Sequence, residues 1–315
     1  MDNKENRISG FLWGTPDEVG ARADAAAPSF RLVNPSGDLP CAEVAFAVPA
    51  SAKTMSCGGR AVGHVWETDD ASFCLMAGVL PPDTSVSRGA QAAAIFPEVE
   101  RLLGEAGFSF ANVVRTWIYI DRVCEWYGEF NAARSAFFES HNVFETFLPA
   151  STGIGSANLD GAALVMGALA MKPKRPGVRA EIVESPLQEP AMAYRSSFSR
   201  AAEIITPDRR QLFISGTASI KPGSHDVAYV GDIVRQIDCT MTAVKAILES
   251  RGYGWGETSR AIVYLKEPSF LAPWRDWCAA NGVPATFAAE TVCDVCRDEW
   301  LFEIELDAAK GGGFI

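Results

Sequence analysis

Two copies of one β-α-β-α-β unit, joined in a single α+β chain, are the architecture the sequence predicts, and three observations predict it. Strand-like and helix-like hydrophobic patterns follow the same order twice along the chain. Ala106-Gly-Phe-Ser-Phe-Ala-Asn-Val-Val-Arg-Thr-Trp-Ile-Tyr119 aligns without a gap on Arg251-Gly-Tyr-Gly-Trp-Gly-Glu-Thr-Ser-Arg-Ala-Ile-Val-Tyr264. That alignment places Gly107 on Gly252, Phe108 on Tyr253, Phe110 on Trp255, Arg115 on Arg260 and Tyr119 on Tyr264. Between the copies lies Lys172-Pro-Lys-Arg-Pro-Gly177, a connector whose prolines and glycine disfavour any regular element.

Each element has a local reason. Residues 1–70 are punctuated by Pro and Gly and hold two strand candidates, 31–34 and 42–48, so they read as an N-terminal extension or an added strand pair. The first repeat, 71–175, opens with an apolar strand at 73–80. Residues 89–106 carry Ile95, Val99, Leu102 and Leu103 at helical spacing. A β-branched strand at 112–120, a helix at 125–140 and a closing strand at 162–171 complete that half. The second repeat, 176–310, returns a strand at 212–219, a helix at 232–250, a strand at 259–265, a helix at 270–280 and a strand at 299–306. Pro149-Ala150 and Pro284-Ala285 each precede the last strand of their half.

Composition narrows the function. The chain has 315 residues, 48% of them hydrophobic, and no apolar run long enough to cross a membrane, so a soluble protein is expected. The polar start Met-Asp-Asn-Lys-Glu-Asn-Arg lacks the apolar region of a secretory signal, and eight cysteines in a chain of this length read as reduced thiols; both point to the cytoplasm. A formal charge of −11 opposes binding to nucleic acid, which needs a basic face, while a small anion remains admissible wherever arginines gather. His64, His141 and His225 are far apart, which leaves little for a histidine metal site or a Ser/His/Asp triad. Cys293-Asp-Val-Cys296 supplies half of a zinc site with no matching second pair, and Thr152-Gly-Ile-Gly155 lacks the Gly-Lys-Ser/Thr of a phosphate loop. No metal and no cofactor are expected.

The last strand draws attention for its chemistry. Glu303 and Glu305 stand at i, i+2 in Leu-Phe-Glu-Ile-Glu-Leu306, which puts both on one face while Phe302, Ile304 and Leu306 take the other. Carboxylates on a half-buried strand are costly to desolvate unless paired, bonded or used. The bland account has the apolar face in the core and both glutamates in solvent. Against it stands the twin strand, Ala162-Ala-Leu-Val-Met-Gly-Ala-Leu-Ala-Met171, which has no ionisable group and puts Gly167 against Glu303. One working site and one disarmed site account for the difference; a first-half strand buried on both faces is the competing account.

These residues also resemble a known family. Phe-Glu-Ile-Glu305, Leu-Phe-Ile-Ser-Gly-Thr-Ala-Ser219 and Ala-Ile-Val-Tyr-Leu-Lys266 are similar to the Rid (reactive intermediate deaminase) family, and the tandem arrangement resembles the chorismatases. The matches are Pro149-Ala-Ser-Thr-Gly-Ile-Gly155, Phe198-Ser-Arg-Ala201, residues 212–220, Val230-Gly-Asp232 and Asp294-Val-Cys-Arg-Asp-Glu-Trp-Leu-Phe-Glu303, in the family's order across roughly residues 73–307. The resemblance implies mixed sheets backed by helices, chorismate mutase-like, in trimeric or pseudo-trimeric packing with ligand clefts between units. It implies a cofactor-free enzyme that releases pyruvate from chorismate and leaves a hydroxybenzoate or a dihydroxycyclohexadienoate. The sequence departs from chorismatases after the Ser-Gly-Thr strand, where Lys221-Pro-Gly-Ser-His-Asp-Val-Ala-Tyr-Val230 keeps only His225 of a His-rich loop.

Carried over to this chain, the resemblance makes Glu303 the general acid that protonates the enolpyruvyl methylene, with Trp300 and Phe302 as the apolar wall that keeps it neutral. Cys296 and Ala218 fall where small residues flank the ring, the first as in hydroxybenzoate-forming enzymes and the second as in hydrolysing ones. Arg200, Arg195, Arg297 and Lys266, with Tyr194, Thr217 and Ser219, are the candidates to bind a dianionic substrate. Two alternatives remain: a Rid-type enzyme acting on the imine or enamine of another small anion, and a non-catalytic ligand-binding protein of the same fold. Deaminating Rid proteins grip an imino-acid carboxylate with an arginine where this chain has Val295, so imine hydrolysis fits less well.

Overall fold

The computed structural model describes residues 9–14, 28–33, 41–46, 48–194, 196–284 and 287–311. Its strands are β1 (Ser9–Gly14), β2 (Ser29–Val33), β3 (Cys41–Phe46), β4 (Lys53–Cys57), β5 (Arg60–Glu67), β6 (Ala71–Val79), β7 (Val113–Ile120), β8 (Ala150–Gly155), β9 (Ala157–Asn158), β10 (Leu164–Pro173), β11 (Arg179–Val183), β12 (Ala201–Ile205), β13 (Arg209–Ala218), β14 (Thr258–Leu265), β15 (Ala289–Val292) and β16 (Phe302–Gly311). The helices are α1 (Arg88–Glu105), α2 (Val123–Ser140), α3 (Ile233–Ser250) and α4 (Leu271–Ala280). Two six-stranded mixed sheets, β4-β5-β6-β10-β7-β8 and β11-β12-β13-β16-β14-β15, carry the repeat strand for strand. In each the fifth and sixth strands are parallel and the closing strand is central and antiparallel to both neighbours. The tandem α+β fold expected from the sequence is thus present.

Three cores hold the layers. α1 and α2 cover one face of the first sheet through Ile95, Phe96, Val99, Phe130 and Phe138, and α3 and α4 cover the second through Ile237, Met241, Val244 and Trp274. The helix-free faces of both sheets meet in a third core that also takes in Phe30, Leu32 and Val44 of the small sheet β1-β3-β2-β9. Burying apolar surface on both faces explains why every residue from Leu164 to Met171 is inaccessible. The strands β4 and β5, drawn from residues read as extension, form the edge of the first sheet.

The pairing register corrects the internal alignment of the closing strands. Tyr119 faces Val165, whereas its counterpart Tyr264 faces Glu303; Trp117 faces Gly167, and Ile262 faces Glu305. Val165, Gly167 and Leu169 therefore occupy the places of Glu303, Glu305 and Asp307, two residues from the sequence-based match of Gly167 with Glu303. A slip of two keeps each side chain on its face, so the contrast between the halves survives. Both closing strands are buried on both faces, so burial alone does not explain the missing acids.

Gly167 marks what replaced them: a Cβ there would collide with the Phe30 ring and come within 2.6 Å of the Met76 carbonyl oxygen. Phe30 packs edge-on against Tyr119, ring centres 4.9 Å apart. Among the described residues no helix is long and apolar enough to cross a membrane. Gly167→Val is expected to destabilise the fold by about 1–3 kcal/mol, because Phe30 and a backbone carbonyl must both move. The midpoint of urea unfolding reads this directly, and an unchanged midpoint would show that the small sheet is not seated there.

Candidate active site

The face of β16 opposite the helices carries Glu303, Glu305 and Asp307, exposed to 5%, 0% and 3%. Phe302, Ile304 and Leu306 point the other way into the α3–α4 core, where Phe302 lies 5.4 Å from Trp274 between ring centres. This corrects one expectation: Phe302 cannot wall Glu303, because adjacent strand residues take opposite faces. Trp300, just before the strand, does line the cleft with Glu303 and is fixed there by donating from Nε1 to the Ser219 carbonyl at 2.8 Å.

Glu305 and Asp307 are committed to an ion cluster that spans both repeats. Arg115 Nη2, from β7 of the first half, donates to Glu305 Oε2 at 2.7 Å. Arg260, its repeat counterpart on β14, donates to Glu305 Oε1 and lies 3.3 Å from Asp307 Oδ2. The Thr152 hydroxyl of β8 accepts from Arg115 Nη2 at 2.5 Å and from the Gly216 amide at 3.1 Å. Burial opposes charge on Glu305, but Arg260 and then Arg115 outweigh it and hold the carboxyl below its ordinary range. Glu303 goes the opposite way. Burial first, then the Glu305 charge, push it up from 4.5 to about 8 against the pull of Arg115. Two carboxyls on one face thus divide into a fixed anion and a neutral acid at neutral pH.

Room for that acid is made by Gly216, where a Cβ would strike Glu303 Oε1. Gly216 sits in an irregularity of the β13–β16 ladder, between the pairs Ile214–Leu306 and Thr217–Ile304. The β8 strand locks the halves together alongside: Ser199 donates to the Pro149 carbonyl at 3.0 Å, and the Ser151 amide donates to Ser215 Oγ at 2.9 Å.

Glu303 opens into a cleft at the junction of the repeats, lined from the first half by Tyr127, Arg134 and Ser151 and from the second by Phe198, Arg200, Ala218, Cys296, Arg297 and Trp300 among others. Arg134 is buried, bonded to Asn131 Oδ1 at 2.6 Å, and lies against the Phe130 and Phe198 rings. Arg200 is buried and donates from Nε and Nη2 to the Glu189 carbonyl at 3.0 and 2.8 Å. Arg297 donates to the His225 carbonyl at 3.2 Å and stacks over Trp300. The Cys296 thiol is raised well above its ordinary value, by burial first and Glu303 next, so it stays protonated. An acid facing three guanidinium groups suits an anionic substrate that must be protonated.

The structure therefore brings Glu303, Cys296, Arg200, Arg297 and Ala218 together around one cleft. It does not bring three others there. Thr217 Oγ1 donates to the Ser215 carbonyl and Ser219 Oγ to the Ala228 carbonyl, as strand hydroxyls commonly serve the backbone. Lys266 Nζ turns to the Asp298 carbonyl and carboxylate. Tyr194 ends the short 3-10 turn Ala191–Tyr194, while Arg195 and Ala285 lie outside the described residues.

Sequence reasoning missed Tyr127 and Arg134, which line the cleft from α2, a helix with a non-helical residue at Trp126 (φ −148°, ψ 18°). It also missed the partners of Glu305, although Arg115 and Arg260 recur at one place in two apolar strands. Cys293 and Cys296 are free thiols.

A stability measurement tests the buried acid. At pH below 4.5 both folded and unfolded chains keep the Glu303 proton and it costs nothing. Between 4.5 and about 8 only the unfolded chain releases it, so this carboxyl increasingly disfavours folding as pH rises, levelling off above 8. Glu303→Gln should therefore raise Tm relative to the parent chain far more at pH 9 than at pH 4.5. An equal difference at both pH values would mean that Glu303 ionises normally.

No family model matches the sequence. The chain is 28% identical over 265 residues to a 3-hydroxybenzoate synthase of Streptomyces hygroscopicus, a match spanning 75% of this chain and 74% of that one. It is 25% identical over 238 residues to a chorismatase of Streptomyces rapamycinicus, spanning 68% of each. A crystal structure of a chorismatase superposes on 96% of this chain and 99% of its own with a TM-score of 0.68 at 18% identity, which shows a shared fold. With its duplicated sheets, the chain shares the fold of that chorismatase and is similar in sequence to the two Streptomyces enzymes.

Proposed function

We propose that the protein is a chorismatase-like enzyme that works without a cofactor, protonating the enolpyruvyl group of chorismate and releasing pyruvate. One observation carries this reading: Glu303, neutral below about pH 8, faces a cleft rimmed by Arg134, Arg200 and Arg297. The names of the similar proteins support the substrate.

The chemistry needs an acid strong enough to protonate carbon yet still holding its proton when substrate arrives. Glu303 gives its proton to the terminal methylene of the vinyl ether, whose π electrons form the new C–H bond. The positive charge then rests on the adjoining carbon and ether oxygen, and Glu303 is left as a carboxylate. Water adds to that carbon, the resulting hemiketal breaks at the ether bond, and pyruvate leaves together with a dihydroxycyclohexadienoate. Attack by a ring hydroxyl in place of water leads, once pyruvate is lost, to a hydroxybenzoate.

The arginines neutralise the two substrate carboxylates, and Phe198, Ile220 and Trp300 give the ring an apolar wall. Ala218 and Cys296 stand beside Glu303 and limit the space open to water, which is where the two outcomes divide. With its proton retained, the Cys296 thiol acts as a wall and not as a nucleophile.

Incubation with chorismate, with pyruvate followed by a coupled assay and the aromatic product by absorbance, tests the proposal. The parent chain should release pyruvate, Glu303→Gln should lose about 10²–10⁴-fold in kcat, and kcat/KM should fall as pH rises through about 8. Pyruvate release at the parental rate by Glu303→Gln would remove Glu303 from the mechanism. No pyruvate at any enzyme concentration would reject chorismate as the substrate. Cys296→Ala should change the ratio of aromatic to dihydrodiol product while pyruvate release continues; an unchanged ratio would place the branch elsewhere.

A further inference from the structure

We infer that Glu305 is the positioning residue for Glu303: an anion clamped between one arginine from each repeat, which keeps the neighbouring acid protonated and loaded for carbon protonation. This rests on the reading of Glu303 as the general acid and adds the charged group that, beside burial, holds its proton. The geometry stands on three points. Glu303 and Glu305 leave the same face of β16, two residues apart. Glu305 is fully buried and its two oxygens are taken by Arg115 and Arg260, so its charge can neither leave nor turn to solvent. The Thr152 hydroxyl, fixed by the Gly216 amide, braces the same cluster, and Gly216 is the residue whose missing side chain admits Glu303 Oε1.

Other charged groups around the pair do not replace this one. Glu303 is faced by Tyr264 across the β14 ladder, by Cys293, Cys296 and Arg297 from the segment before β16, by Tyr127 and Arg134 from α2, by Arg200 from the segment before β12, and by Arg115 from β7. From β13 the residues beside it, Gly216 and Ala218, carry no charge. The cations among these favour ionisation, and the tyrosines and thiols are held neutral by burial. Asp307 belongs to the same cluster but stands four residues away, on Arg260. Glu305 is the neighbouring anion that acts on Glu303, and the first repeat supplies half of its clamp. The disarmed repeat thus contributes to catalysis through Arg115 and Thr152 while holding no acid of its own.

The test compares Glu305→Gln with Glu305→Asp, reading the alkaline limb of kcat/KM and, in parallel, the carboxyl titration of Glu303 by ¹³C NMR of protein labelled at the glutamate carboxyl. The Glu303 resonance is assigned by its loss in Glu303→Gln. Glu305→Gln should move both titrations to lower pH by about one unit or more, since an opposing anion is lost and two cations are released. Glu305→Asp, which keeps the charge, should leave them near the parental position even where kcat drops. A purely structural role would lower kcat or Tm without moving either titration, and that result would overturn the inference. A shift of about one unit or more in Glu305→Asp would do the same, and it would overturn the inference even if the glutamine variant fails to fold. Should the parent release no pyruvate, the NMR titration still decides the role of Glu305, so failure of the proposed function and failure of this inference are separable.

Discussion

At the centre of the molecule one carboxylate is held by two guanidinium groups, all shielded from water, and each guanidinium belongs to a different copy of the repeat. An isolated charge at Glu305 would be prohibitive there, and so would either arginine alone; together they form a cluster whose disruption costs about 3–5 kcal/mol, because the survivor is left buried and unpaired. That constraint fixes the relative placement of β7, β14 and β16. It also sets the field in which Glu303 sits. Burial of the Glu303 carboxyl, and after it the anion immobilised two residues along the strand, disfavours a second ionisation, and the carboxyl nearest the cleft keeps its proton to about pH 8.

Duplication explains how such a site is built from an apolar scaffold. Each repeat places three inward positions along its closing strand. In the second they are Glu303, Glu305 and Asp307; in the first they are Val165, Gly167 and Leu169. The first set lies under Phe30 from the small N-terminal sheet, with Gly167 leaving room for its ring. The second set meets Arg115 and Thr152 from its neighbour and, at Glu303, an open cleft. One face has become packing and the other carries the acids, while the backbone pairing of the two stays the same.

Much of the fold was legible because its signals are local. The gapless match of residues 106–119 with 251–264, helical spacing in 89–106 and 232–250, and alternation in the last strand all reflect which faces must be buried. Short strands such as β8 and β15 gave little pattern of their own, since parallel pairing at a sheet edge asks only for small, compatible side chains. At the site, Glu303 stood out because a carboxylate in an apolar strand contradicts its surroundings. Arg115 did not, because its partner Glu305 lies 190 residues away in sequence and only the packing of the two sheets brings them together. Tyr127 and Arg134 were hidden for a related reason: they reach the cleft from α2 of the first repeat, far in sequence from the second-repeat residues that line the rest of it.

The claim on which all of this turns is that Glu303 is a neutral carboxylic acid in the folded protein at neutral pH. Infrared difference spectroscopy reads that state directly, through the carbonyl stretch of a protonated carboxyl, with Glu303→Gln to assign the band. The band should be present at pH 7, fade as the pH passes about 8, and be absent from Glu303→Gln. A parent spectrum without it at pH 7 would contradict the account, leaving Glu303 an ordinary carboxylate with no proton to deliver.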